Sequence, residues 1–134
     1  MTLLQGGCLC GGIRFEISGP VDGIVQCHCS LCRKTSGTSA IATIPVPADQ
    51  FRWISGEELL RTFTRSTGYT SVFCAVCGSP APDSNAARTR YLIPAGLVDD
   101  DPSLRVTEHI FVGSKAQWDT IADDAPRFDA FPPP

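Results

Sequence analysis

The chain has 134 residues, 43% of them hydrophobic, with a formal charge of -3 and seven cysteines. That length suits one globular domain over residues 1–134 with enough apolar content for a core. The acidic balance excludes a broad phosphate-binding footprint, and no run of about 20 apolar residues is present to cross a bilayer, so neither nucleic acid nor membrane is expected as a partner.

In chain order, residues 1–7 carry neither a basic region nor an apolar run of signal-peptide length, and a reducing, cytoplasmic setting is the expectation. Cys8 and Cys10 follow at i and i+2, a spacing that puts both thiols on one face of an extended segment. Residues 13–17 alternate, which predicts a strand with Ile13, Phe15 and Ile17 on one face and Arg14 and Glu16 on the other, ended by Gly19-Pro20. Cys27, Cys29 and Cys32 come next, with a single helical turn predicted over 31–36 and closed by Gly37. Further strands are predicted at 40–46, 58–64, 69–74, 91–95 and 104–112; Pro45, Pro47, Pro80, Pro82 and Pro94 keep several of them short or at an edge. The strand at 69–74 runs into Cys74-Ala75-Val76-Cys77-Gly78, a knuckle in which glycine allows the tight turn. Residues 114–121 read as a second helix, with a capping box from Ser114 to Gln117 and with Trp118 and Ile121 packing inward. Trp53 reads as a core residue, and residues 128–134 as an extended tail whose phenylalanines dock on the body. The fold class is therefore mainly β, built from small antiparallel sheets with short helical turns.

Thiols one or two residues apart bridge each other poorly but reach one ion easily, so the clusters read as metal ligands rather than disulfides. Cys8, Cys10, Cys74 and Cys77 suffice for a closed structural zinc site that joins distant parts of the chain. Cys27, Cys29 and Cys32 remain, and three thiolates leave an open position where zinc can activate water or hold a substrate thiolate. His28 points away from the shared face of Cys27 and Cys29 in an extended segment; His109 is either a satisfied core histidine or the ligand that closes this second site. Arg33 and Lys34 either meet carboxylates of an anionic ligand or form a solvated turn.

Residues 7–11 (Gly-Cys-Leu-Cys-Gly), 27–37 from Cys27-His28-Cys29 to Gly37, Phe51-Arg52-Trp53 and 73–79 around Cys74 and Cys77 together resemble the glutathione-dependent formaldehyde-activating enzyme family, whose relatives include centromere protein V. A block from Ala95 through His109 and Ser114 to Trp118 extends the resemblance over nearly the whole chain. It implies a β-tent fold, a structural zinc on Cys8, Cys10, Cys74 and Cys77, and a labile zinc on Cys27, Cys29 and Cys32. The implied activity is condensation of glutathione with formaldehyde to S-(hydroxymethyl)glutathione, classed in reverse as a carbon-sulfur lyase. The partner is then a small glutathione-derived thiol adduct, and exposed sheet edges leave a homodimer open. The alternative is a non-catalytic zinc module for interaction or for thiol and metal sensing. Methionine sulfoxide reduction on a related tent would need a redox cysteine outside both sites. Residues 79–85, rich in proline and polar groups, depart from the family pattern.

Overall fold

Alternation builds the first sheet. The computed structural model describes residues 3–134, and in it β1 (Leu3–Gly7) pairs antiparallel with β2 (Arg14–Ser18). Ile13, Phe15 and Ile17 are buried, whereas Arg14 pairs with Asp99 and Glu16 with Arg52 on the outer face, as the alternation predicts. β1 is harder to read from sequence because it ends in two glycines, yet the fold demands both: a Cβ on Gly7 would stand 2.4 Å from the Ile13 carbonyl oxygen. A Cβ on Gly6 would stand 2.4 Å from the Leu97 carbonyl oxygen and 2.6 Å from the Phe15 ring.

Strands β3 (Ile24–Cys27) and β4 (Ile41–Pro47) belong to a second sheet, and β5 (Phe51–Ser55) returns to the first, beside β2. The second sheet adds β8 (Asp83–Ser84), β9 (Arg90–Pro94) and β10 (Val106–Ile110) in the order β10-β3-β4-β9-β8. All its pairings are antiparallel except β10 with β3, which is parallel. Pro45 lies where β4 has passed the end of β3 and pairs only with β9, so its missing donor is harmless. Between β3 and β4 sits the only α-helix of the described residues, α1 (Ser30–Ser36), closed by the Gly37 N–H bonding to the Arg33 carbonyl. β6 (Leu60–Thr64) and β7 (Thr70–Cys74) form a separate hairpin. The result is a mainly β architecture of small sheets, a β-tent.

Between the sheets Phe15, Ile17, Ile44, Val46 and Ile93 are fully enclosed, with Phe51, Trp53 and Tyr91 packed around them. Each such side chain contributes about 2 kcal/mol by leaving water. Trp53 therefore packs as expected, its ring edge-on to Phe51 at 4.9 Å. The second core is different in kind: Cys8, Ile13, Cys74 and Ala81. Two of its four buried members are thiols, so this end of the tent lacks the aliphatic volume that holds the other end.

The stretch 114–121 does not form the predicted helix. A 3-10 turn at Val112–Ser114 stops at Lys115, whose backbone is extended and whose ammonium bonds the carbonyls of Ala116 and Asp119. The tail takes up the neighbouring backbone instead, through His109 N to Pro126 O, Phe128 N to His109 O and Val112 N to Phe128 O. Trp118 is consequently 72% exposed rather than packed inward. The tail lies against the body through those backbone bonds, but Phe131, edge-on to Phe111 at 4.8 Å, stays 72% exposed and so is not buried there. The departing segment has a structural use too: Ser79 and Ala81 bond the free edge of β7 and Phe73 bridges to Pro80.

Candidate metal centre

β1 hands the chain to Cys8, which is held by its N–H to the Ile13 carbonyl and by the Gly11 N–H on its own carbonyl. β7 ends at Cys74, and the Gly78 N–H turns back onto the Cys74 carbonyl at 2.9 Å. Gly78 takes a φ of 74°, the left-handed conformation the knuckle requires. The Leu9 N–H donates to the Ser79 hydroxyl at 3.0 Å, tying one turn to the other. The sulfurs of Cys8, Cys10, Cys74 and Cys77 all lie within 4.8 Å of one another. Two separations, 3.5 Å for Cys8 to Cys10 and 3.9 Å for Cys10 to Cys74, bracket the edge of about 3.8 Å that a tetrahedron with 2.3 Å zinc–sulfur bonds would have.

Charge in this cluster is unbalanced without a cation. The Ser79 N–H helps draw Cys77 down to about 6. At Cys10 the Gly12 N–H pulls the same way, but the sulfurs of Cys8, Cys77 and Cys74 outweigh it and push this thiol up to about 11. Crowded thiols thus share protons, and a divalent ion removes the conflict by letting all four ionise. Backbone donors are already in place, Ile13 N to Cys8 Sγ and Val76 N to Cys74 Sγ. The donor set fits a metal ion.

The second cluster lies at the junction of β3 and α1. Cys27 ends the strand, Cys29 caps the helix by accepting the Cys32 N–H at 3.2 Å, and Cys32 is buried in its first turn. Their three sulfurs also lie within 4.8 Å of one another. Cys32 holds the Cys27 thiol below its ordinary value, while Cys27 and burial push Cys32 up. Sequence reasoning missed Tyr69, whose hydroxyl donates to Cys32 Sγ at 3.4 Å. Burial, and then Cys32 itself, raise the phenol, which keeps it a neutral donor.

His109 takes the core reading and not the ligand one. Its Nε2 meets Asp123 at 2.9 Å and its Nδ1 meets His28 Nε2 at 2.9 Å, and both rings are 1% exposed. One N–H lies between the two rings, so His109 bridges His28 on one side and the Asp123 carboxylate on the other. His28 faces away from the sulfurs, as an extended Cys-His-Cys segment predicts. Replacing His109 by leucine is expected to lower unfolding stability by about 2–4 kcal/mol, because the buried Nε2 of His28 loses its hydrogen-bond partner. Urea unfolding measures this, and a loss under about 0.5 kcal/mol would show that the pair does not support the fold.

Two concavities flank this region. The larger, about 450 Å³, is lined by His109, Asp119 and Asp123 among others and by no cysteine. The smaller, about 150 Å³, lies between α1 and the hairpin tip and includes Lys34, Arg65 and Tyr69. No cysteine lines the smaller one either, and it meets the thiol cluster only through Tyr69; Lys34 borders it, whereas Arg33 lines neither concavity and buries its Nε without a partner.

A family profile described as glutathione-dependent formaldehyde-activating enzyme matches residues 3–114, a span that includes all seven cysteines and Tyr69. The chain belongs to this family. A Halomonas elongata protein, provisionally named for the same glutathione-dependent formaldehyde-activating family, is 30% identical over 126 residues, covering 87% of this chain and 79% of that protein. The crystal structure of a Rhodobacter sphaeroides protein superposes with a TM-score of 0.60 at 20% identity, over 77% of this chain and 99% of that one. That likeness extends to the fold of this formaldehyde-activating family member. Among the described residues no helix is long and apolar enough to cross a membrane.

Proposed function

We propose that this protein is a zinc-dependent carbon-sulfur lyase that makes and breaks the bond in a glutathione–aldehyde adduct such as S-(hydroxymethyl)glutathione. The observation that carries the reading is the convergence of three sulfurs, Cys27, Cys29 and Cys32, beside a groove, with no fourth protein donor among the described residues joining them. On this reading Cys8, Cys10, Cys74 and Cys77 hold a structural zinc and the chain works as one domain. Seven free cysteines fit a reducing, cytoplasmic location.

In the forward direction the thiol gives up its proton, its sulfur bonds to the formaldehyde carbon, the carbonyl π pair moves to oxygen, and that oxygen takes a proton. Zinc on the three thiolates supplies charge to stabilise a substrate thiolate near neutral pH. Cys27 and Cys29 are positioned by the end of β3 and the cap of α1, so the cluster needs little rearrangement to meet a ligand. Tyr69 holds a proton on Oη beside Cys32 Sγ and steadies negative charge on the cluster. Formaldehyde is electrophilic enough that thiolate generation and proximity account for most of the acceleration. A non-catalytic module would need no groove beside the three sulfurs.

Exchange NMR on glutathione and formaldehyde with zinc-loaded protein tests the reading, because the uncatalysed condensation is itself fast. Interconversion faster than the background supports it; an unchanged rate with both zincs bound rejects this substrate pair. Tyr69→Phe is expected to lower kcat/KM about tenfold with the fold intact, the cost of one hydrogen bond of about 1.4 kcal/mol. Unaltered kinetics would remove Tyr69 from the mechanism.

A further inference from the structure

We infer that His28, His109 and Asp123 form a positioning chain that fixes the Cys27-His28-Cys29 segment from behind and so sets how firmly the three-cysteine site holds its ion. The inference rests on the metal reading of that site and adds what shapes it. Alternate side chains of an extended segment point to opposite faces, so Cys27 and Cys29 present their sulfurs on one side while His28 points to the other. The His28 main chain is held to β10 by its N–H on the Ile110 carbonyl at 2.9 Å, one step beyond the pairing of Cys27 with Ile110. The ring is held to the same strand, through Nε2 to His109 Nδ1 at 2.9 Å.

His28 Nδ1 has no hydrogen-bond partner, and the Asp119 carboxylate stays 3.8 Å away. One contact, that with His109, therefore decides which way the ring is turned. His109 is in turn gripped by the Asp123 carboxylate at 2.9 and 3.0 Å, and that carboxylate is set by the Ala125 N–H at 3.0 Å. The Arg127 guanidinium bonds the Asp123 carbonyl at 2.8 Å and closes the turn. A side chain 44% exposed at the surface thus reaches, through two rings each 1% exposed, the residue that lies between two candidate ligands. Apolar side chains would fill this space without the cost of burying polar groups. What the hydrogen bonds add is direction, since they constrain angle as well as distance and a satisfied buried network specifies one arrangement. Direction counts most beside a site with three protein donors, whose affinity depends on the sulfurs being in place before the ion arrives.

Zinc release from the full-length, two-zinc protein to pyridylazoresorcinol tests the chain, with Cys29→Ser marking which phase belongs to the three-cysteine site. Asp123→Ala is expected to weaken that site's hold on zinc about tenfold, the low end of what loss of an outer partner costs a metal site, and to leave release from the four-cysteine site unchanged. Asp123→Asn, which still offers an oxygen to His109, is expected to restore most of the loss. Once His28→Phe has cut the chain, Asp123→Ala is expected to have no further effect. Should His28→Phe misfold, the two Asp123 variants decide the matter alone, because that side chain lies at the surface. Release unchanged by Asp123→Ala, equal weakening of both sites, or additive effects in the double variant would each overturn the chain. A parent protein that binds one zinc would overturn it together with the metal reading. Release altered as expected, without accelerated glutathione–formaldehyde exchange, would reject the proposed activity and leave the chain standing; accelerated exchange with release unaltered by Asp123→Ala would do the reverse.

Discussion

Cys74→Ser is expected to abolish cooperative folding. Cys74 is 1% exposed, ends β7, and belongs to a core whose other members are Cys8, Ile13 and Ala81. With so little aliphatic volume there, the metal proposed on the four sulfurs would supply the cohesion. Structural zinc sites contribute an apparent 10–16 kcal/mol, roughly the 5–15 kcal/mol by which whole domains are stable. Serine at 74 would remove one thiolate, weaken the site and bury a hydroxyl among sulfurs in its place. The expected result is loss of near-UV circular dichroism and of a sharp thermal transition. A Cys74→Ser protein that melts cooperatively within about 5 °C of the parent would refute a structural role for this site.

Cys29→Ser should behave in the opposite manner, staying folded while turnover collapses. Cys29 contributes to α1 by accepting the Cys32 N–H, and serine is among the best residues for that capping role. The helix start therefore survives while the second site falls to two thiolates. Turnover is expected to drop by about two orders of magnitude or more, since several kcal/mol of charge stabilisation leave with the metal. Bound zinc should halve, and the melting temperature should move by only about 3 °C. Full turnover by a one-zinc Cys29→Ser protein would separate the three-cysteine cluster from catalysis. The two substitutions are chemically identical, so the contrast between them isolates position from thiol loss.

The pairs Cys8/Cys10 and Cys74/Cys77 and the triplet Cys27, Cys29 and Cys32 are legible in the sequence because each spacing is local, although Cys8 to Cys10 forms a turn and not the extended segment expected. The strand through Phe15 and Ile17 is equally plain, since one face is buried and the other carries charge. Legibility fails where partners are remote. β3 is four residues long with no alternation, and it becomes a strand by lying between β4 and β10. His28 and His109 settle each other's roles across 81 residues. Tyr69 and Arg65 carry no motif; they matter because the hairpin tip comes down against α1. At 114–121 a sound local capping signal loses to tertiary demand, since the tail and the Lys115 ammonium offer the backbone other partners.

The β6–β7 hairpin joins the two sulfur clusters end to end. Tyr69, just before β7, touches Cys32, and the last residue of β7 is Cys74. Five strand residues at about 3.3 Å each make a span of about 17 Å from tip to root. A two-stranded ribbon has little stability of its own and depends on what clamps its base. Here the base is held by the four-cysteine cluster together with the bonds of Ser79 and Ala81 along β7 and of Ala75 to Leu59, and the tip is the wall that carries Phe63, Arg65 and Tyr69. Loosening the root is therefore expected to let the tip swing. Linkage is reciprocal, so a ligand held at the tip is expected to raise the affinity of the root for its ion. An ion that takes no part in the chemistry would in this way set how tightly substrate is gripped, and chelation would lower affinity before it unfolds the chain.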